Sequence, residues 1–476
     1  MRALPVSPPT VAMFLVMCIA FPMKRSVQAA ASPPNILFVL VDDLGWADLG
    51  CYGNEFHQTP RIDRLAAEGV RFTDFYAAGA VCSPTRASIQ SGQYQARLGI
   101  TDFIPGHARP WEQLIVPQVR SALPLDVETP AEGLAARGYR TAYFGKWHLG
   151  GTGFLPSEQG YQRSLVSSGR HFAPRFQLTP PADVPDGTYL ADFLTDATID
   201  FLKADDARPA FVFLSHFAVH IPLEAAGEKI RKYTERTGPA GGINNPVYAA
   251  MVEHVDDSVG RLLDALDAAG LAENTVVIVT SDNGGLRQSA NGGAIVTSNA
   301  PLRDEKGSLY EGGIRVPLIV RWPGVTTAGA ICDEPTISVD FWATFADIAG
   351  VPVEERPRLD GLSLLPLLRD ADARMARESL YWHYPHYHHS RPAAAIRQGR
   401  WKLIDFFDDT PSELYDLSAD ISESDDQAAR NPETTTRLST ELQAWLASVD
   451  AQMPKPNPDY DPARATLRGP RSRREE

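Results

Sequence analysis

The chain has 476 residues, 43% of them apolar and 22% charged, with a formal net charge of −14. That length accommodates one large α/β domain and a smaller one, and the composition is that of an ordinary globular protein. The acidity argues against a nucleic-acid binder, which needs surplus Lys and Arg to hold phosphates.

At the N-terminus Arg2 precedes an apolar run, 11–21, that is too short to span a bilayer. Val27-Gln28-Ala29 follows with small residues at cleavage spacing, so residues 1–30 are expected to be a secretory signal peptide. The protein is then expected to be exported, periplasmic or secreted, with no membrane span after cleavage. Loss of Arg2, Lys24 and Arg25 leaves the remainder more acidic still. Cys51, Cys82 and Cys332 remain, too few for a disulfide scaffold and odd in number. Whether Cys51 and Cys332 pair stays open.

Apolar runs at 36–41, 141–144, 210–214, 276–280 and 318–320 lack polar alternation, as strands of a parallel sheet covered on both faces do. Helices alternate with them. Thr59-Pro60 opens one that stops at Gly69, Thr129-Pro130 opens another ending at Gly138, and 248–269 is the longest. Between the first two, Cys82-Ser-Pro-Thr-Arg86 places a thiol at a helix start, where backbone N–H groups and the helix dipole favour an anion. Residues 31–352 are therefore expected to form a doubly wound, mostly parallel α/β catalytic domain. Beyond it, runs at 379–384, 394–397 and 401–404 and a helix with Leu438, Leu442 and Leu446 suggest a smaller α+β domain over 353–452, carrying an antiparallel sheet. Residues 453–476, Pro-rich and then basic, are expected to be a disordered tail.

Ligands of open α/β sheets bind beyond the carboxyl ends of the strands. Asp42 and Asp43 follow the first run, Lys146 and His148 the second, His216 and His220 the third, and Asp282 and Asn283 the fourth. Each motif alone reads equally as a turn or a solvated loop. Together they bring hard oxygen donors suited to Ca²⁺ or Mg²⁺, cations for an oxyanion (Arg86, Lys146 and Lys306), and histidines able to move protons.

On these residues, with Pro-Asn-Ile-Leu-Phe-Val-Leu-Val-Asp-Asp-Leu-Gly from Pro34, Gly-Lys-Trp-His-Leu-Gly from Gly145, Ser-Asp-Asn-Gly from Ser281 and Lys-Gly-Ser-Leu-Tyr-Glu-Gly-Gly-Ile-Arg from Lys306, the chain resembles the type I sulfatases of the alkaline phosphatase superfamily. The resemblance implies an alkaline phosphatase-like fold and hydrolysis of sulfate esters. It implies that a maturation enzyme oxidises Cys82 to Cα-formylglycine (3-oxoalanine), whose hydrate is the nucleophile. It further implies one Ca²⁺, in preference to Mg²⁺, held by Asp42, Asp43, Asp282, Asn283 and residue 82. Arg86 is expected to hold the diol, His148 to be the base for sulfate release, and Lys146 and Lys306 to clamp sulfate oxygens. His220 is expected beside the leaving oxygen.

The chain also looks similar to bacterial carbohydrate sulfatases, which implies a sulfated oligo- or polysaccharide substrate, galactose or N-acetylgalactosamine sulfate among them. The aromatic and imidazole segment 381–391 suits a sugar at a cleft mouth. His383, His386, His388, His389 and Arg391 are its candidates for substrate binding, together with His216; His107, Arg109 and His171 are weaker ones. Rival readings are a phosphonate monoester or phosphodiester hydrolase on the same fold, and a non-enzymatic glycan-binding protein.

Overall fold

In the computed structural model, which describes residues 33–107, 109–288 and 293–465 together with 1 and 3–5, nine strands form one twisted sheet. Their spatial order is Ala330–Cys332, Val70–Phe72, Leu318–Arg321, Thr275–Ser281, Asn35–Val41, Ala210–Ser215, Arg140–Gly145, Arg163–Gly169 and Phe176–Thr179. Asn35–Val41 lies parallel between Thr275–Ser281 and Ala210–Ser215, and every residue of it is buried. Its alternate side chains feed two separate cores. Leu37, Val39 and Val41 pack with Val252, Val255 and Val259 of helix Pro246–Ala268. Ile36, Phe38 and Leu40 meet helix Asp340–Ala349 on the other face, with the Phe38 and Phe341 rings 4.8 Å apart edge to face. A strand buried on both sides has no polar residue to spare, which is why its run is continuous.

Helix boundaries follow the local chemistry. Thr129 and Glu132 close a reciprocal capping box at the start of Pro130–Ala135, and the Asn245 side chain accepts from Val247 N and Tyr248 N ahead of Pro246–Ala268. The first of these helices ends at Ala135, short of the expected Gly138. Leu318–Arg321 also differs from expectation, because it runs antiparallel to both of its neighbours. Among the described residues, the stretch between Thr275–Ser281 and Leu318–Arg321 contains only the short helix Glu311–Ile314. A parallel return needs a longer crossover, and an apolar run buried on both faces carries no mark of direction. Helices Leu190–Leu202 and Asp340–Ala349 and strands Arg163–Gly169 and Phe176–Thr179 were not anticipated; the two strands are mostly half-exposed or exposed.

The second sheet is four-stranded and antiparallel, Ser379–Tyr384, Ala393–Gln398, Trp401–Phe406 and Glu413–Asp416 in order, with helix Pro432–Ser448 against it. It is welded to the first by buried charge. Lys402 Nζ lies 2.8 Å from both Glu311 Oε1 and Glu423 Oε1, Arg315 reaches Glu311 Oε2 at 3.1 Å, and Arg397 donates to the Tyr76 hydroxyl. Trp382 Nε1 donates to Ala77 O at 2.8 Å. The described residues from Pro33 onward thus form one compact unit.

The expected tail is ordered over 453–465: Lys455–Pro456 pairs antiparallel with Leu114–Ile115, and Asn457 Nδ2 donates to Glu112 O at 2.7 Å. Residues 466–476, and the expected signal peptide apart from positions 1 and 3–5, lie outside the described residues. No helix among the described residues is long and apolar enough to cross a membrane. Cys51, Cys82 and Cys332 are all free thiols, so Cys51 and Cys332 do not pair.

Candidate functional site

Four mutually parallel strands, 275–281, 35–41, 210–215 and 140–145, are consecutive neighbours in the sheet, so the residues that follow them converge on one edge. Asp43 and His148 bend away from their strands with φ of 64° and 58°. Non-glycine residues adopt this left-handed region rarely, and mostly where surrounding structure enforces it. Gly145 has φ of 116°, and a Cβ there would fall 1.8 Å from Ser215 O; only glycine lets the 140–145 strand deliver Lys146 so close to its neighbour. Helix Cys82–Ser91, every residue of it buried, brings residue 82 to the same place from the side.

Three carboxylates there face three cations. Lys146 Nζ donates to Asp42 Oδ2, Lys306 Nζ to Asp43 Oδ1 and Oδ2 at 2.6 and 2.9 Å, and Arg86 to Asp282 Oδ2 through Nε at 2.9 Å and Nη2 at 2.7 Å. Burial disfavours each charge, yet Lys146, His220 and Arg86 hold the Asp42 carboxyl well below its usual range, and Lys306 and His220 do the same for Asp43. Two buried oxygens have no partner, Asp42 Oδ1 and Asn283 Oδ1. The Asn283 amide nitrogen, by contrast, donates to Asp43 Oδ1 at 2.8 Å. A buried acceptor without a donor is costly, and carboxylate and amide oxygens form a donor set suited to Ca²⁺ or Mg²⁺. One donor atom each from Asp42, Asp43, Cys82 and His220 lie within 4.8 Å of one another, so a divalent cation fits between these groups.

Cys82 Sγ lies 3.5 Å from Lys146 Nζ, and burial pushes the thiol up to about 11, so the encoded side chain is neutral near pH 7. His148 donates through Nε2 to Ile104 O at 2.8 Å, because a carbonyl can only accept. Its Nδ1 is then the lone-pair nitrogen, and it is buried without a partner. Burial and Lys146 push this imidazole down to about 3, so it is neutral near pH 7. His220 spends Nδ1–H on Ile221 O at 2.6 Å, which leaves Nε2 3.8 Å from Asp43 Oδ2. Burial, with Lys306, pushes it down to about 4.

A cavity of about 700 Å³ opens above this cluster. Cys82, Lys146, His148, His220 and Lys306 line it, while Arg86 does not. Arg86 is buried beneath and braces the floor, donating through Nη1 to Lys146 O at 2.7 Å and Ser215 Oγ at 2.6 Å. Phe103, Trp147, Val166 and Phe217 among others give it apolar lining, and His107, His388 and His389 add imidazoles, with His107 packed edge to face on Phe103 at 4.6 Å.

Of the residues expected at the substrate, His107, His388 and His389 line this cavity. His383 Nε2 bonds Gln452 O at 2.9 Å and His386 Nε2 bonds Thr101 Oγ1 at 2.8 Å, and both rings are buried. Arg391 is tied to Asp408 at 2.5 Å. His216 turns to the far side of the edge and meets Ser258 Oγ at 2.9 Å, because successive residues of an extended chain face opposite ways. His107 lines the cavity, whereas His171 supports it by bonding His220 O at 2.9 Å. Sequence reasoning missed Phe217, which stacks between His171 and His220 at 4.7 and 5.1 Å, and Asp102. The position of Phe217 after a buried strand was a usable signal; Asp102 had none.

The sulfatase family model matches residues 34–351, and that of the N-sulphoglucosamine sulphohydrolase C-terminal region matches 304–452. Among curated proteins, arylsulfatase A of Homo sapiens is 35% identical over 89% of this chain and 89% of its own. N-acetylgalactosamine-6-sulfatase of Sus scrofa is 34% identical over 72% of this chain and 67% of its own. Among solved structures, Ps i-CgsB in complex with a neocarrahexaose superposes with a TM-score of 0.76 and 28% identity, covering 90% of this chain and 95% of that one.

Proposed function

Because the chain belongs to the type I sulfatases of the alkaline phosphatase superfamily and hydrolyses sulfate esters, we propose that it does so through a formylglycine made from Cys82 and a single bound Ca²⁺. The observation that carries this reading is the charge balance of the cluster. Three carboxylates and three cations already neutralise one another around two unsatisfied oxygens. Such a site accepts a divalent cation together with an anion more readily than either alone. Asp42, Asp43, Asp282, Asn283 and residue 82 would hold the ion, which supplies Lewis acidity to a sulfate oxygen. The formylglycine hydrate supplies two hydroxyls on one carbon, one to accept the sulfuryl group and one whose deprotonation expels sulfate.

The chain's own groups do the rest. Lys146 and Lys306 line the cavity beside residue 82 and can give hydrogen bonds to sulfate oxygens as charge develops on them. His148, with Nδ1 free, takes the proton that releases sulfate. His220 stands with Nε2 toward the carboxylates and serves the leaving oxygen. Arg86 orients Asp282 from below and is the cation proposed to hold the diol.

The mixed lining of the cavity, aromatic and imidazole side chains together, suits a sulfated sugar, whose apolar faces and hydroxyls both find partners there. Sulfated galactose or N-acetylgalactosamine in an oligosaccharide is the substrate class proposed, with the enzyme exported to reach it. Mass analysis of the residue 82 peptide tests the nucleophile, the expected result being an aldehyde in place of the thiol. Matched sulfate and phosphate aryl esters test the reaction, and a large preference for phosphate would overturn it. A screen of defined sulfated oligosaccharides tests the sugar.

A further inference from the structure

The base His148 is oriented by a loop that no catalytic motif contains. Residues 101–107 run from the side of helix Cys82–Ser91 to the cavity mouth, and Ile104 sits at their centre. Ile104 O receives the His148 Nε2 proton at 2.8 Å. Ile104 N donates to Ser83 Oγ at 3.1 Å, and the same hydroxyl donates to His148 O at 2.8 Å. Ile104 therefore grips both the ring and, through Ser83, the backbone of the base.

The loop is itself held by one buried carboxylate. Asp102, fully buried, accepts four hydrogen bonds: Oδ1 takes Phe103 N at 2.9 Å and the Tyr384 hydroxyl at 3.0 Å, and Oδ2 takes His107 N at 3.2 Å and His107 Nδ1 at 3.0 Å. Thr101 Oγ1, next to it, meets His386 Nε2 at 2.8 Å. Both side chains that reach in from 384–386 belong to the C-terminal sheet and the segment that follows it. Asp102 thus ties the second sheet to the loop that orients the base.

We infer that Asp102 is a positioning residue for His148: by holding residues 101–107 it keeps Ile104 O under Nε2–H and so presents Nδ1 as the base. The inference rests on the sulfatase reading and on His148 as the base of sulfate release. It gives the C-terminal sheet a part in catalysis through hydrogen bonds that never touch substrate.

Asp102→Asn keeps the shape but offers a donor where two N–H groups need an acceptor, which frees the loop. A misplaced base slows only the release half of the reaction. The expected result is kcat lower by about 10- to 100-fold with KM lower as well; kcat/KM, which counts steps only through sulfuryl transfer, should fall no further than it does in His107→Ala, the share of substrate binding that the freed loop loses. A first-turnover burst of the alcohol product should appear. Asp102→Asn and His148→Asn should not multiply in the double variant, because they disable one device.

A second readout is independent of turnover. ¹⁵N signals of the His148 ring, assigned by their loss in His148→Asn, should report Nε2 protonated and Nδ1 bare in the parent, and a mixture in Asp102→Asn. Tyr384→Phe, which removes one of the four donors, should show the same pattern more weakly, and it stands in if Asp102→Asn does not fold. A fall in kcat/KM without a burst, multiplying effects, or unmoved His148 nitrogens would overturn the inference. If His148→Asn gives a burst and neither loop variant does, the inference alone falls. If His148→Asn gives none, the reading of His148 falls with it.

Discussion

Residue 82 carries the least reactive form of its own chemistry. Burial holds the encoded thiol neutral, so a thiolate mechanism is closed to it near pH 7. Cys82→Ala is accordingly expected to abolish turnover while leaving the melting temperature nearly unchanged; retention of most activity would exclude the proposed mechanism. Asn283 tests the cation. In saturating Ca²⁺, at about 100 times Kd, the parent should gain about 2.7 kcal/mol of stability, read as a rise in melting temperature that chelation reverses. Asn283→Ala removes one of the two unpartnered oxygens and should lose most of that gain; an equal gain in both would remove Asn283 from the ligand set. His148 predicts a pH profile. Its imidazole is pushed down to about 3 by burial and Lys146, so it stays unprotonated at every pH well above that. The rate of sulfate release should then show no loss of activity centred near 6.5, the usual imidazole value, as pH falls.

The elements that carry these residues differ in how they declare themselves. Strand Asn35–Val41 and helix Pro246–Ala268 were legible because burial on both faces, or on one helical stripe, leaves a periodic record. The reversal of Leu318–Arg321 was not, since direction depends on the connection rather than the run. The C-terminal sheet was read as three strands and has four. Its attachment is a matter of charge. Lys402, wholly buried, pairs with both Glu311 and Glu423, and Arg315 shares Glu311. Lys402→Met should destabilise the protein by about 3–5 kcal/mol, because it leaves the buried Glu423 carboxyl without its cation while Glu311 keeps Arg315. Denaturant unfolding would read this, and a loss below about 1 kcal/mol would show that the pairing is not what docks the sheet.

For the whole molecule, buried neutral histidines set the acid side of stability. Burial pushes His216, His383 and His386 down to about 4 and His254 down to about 3. Unfolding releases them to the ordinary value near 6.5, so below that pH the unfolded chain binds more protons than the folded one. Stability therefore rises with pH across the window from about 4 to 6.5 and levels above it, by up to about 1.4 kcal/mol per pH unit for each such group. Melting temperatures measured from pH 4 to 8 should climb and then flatten. Asp256 and Glu423, pushed up to about 7 by burial, oppose this slope; a flat profile below 6.5 that persists in Asp256→Asn would mean that these rings charge freely within the fold.

What the sequence by itself determined is the chemistry of the floor. Asp42, Asp43, Cys82, Lys146, His148, His220, Asp282, Asn283 and Lys306 were legible because each follows a strand, opens a helix or sits in a motif, where local rules apply. What only the tertiary structure decided is which histidines of 381–391 reach the cavity and how the His148 ring is anchored. His383 and His388 are alike in sequence, yet one lies under Gln452 and the other faces the cleft. Asp102 carries no local signal at all, because its four partners come from its own loop and from a strand 282 residues away. Hydrogen bonds that span such distances are set by how sheets dock, and docking leaves no periodic mark on the chain.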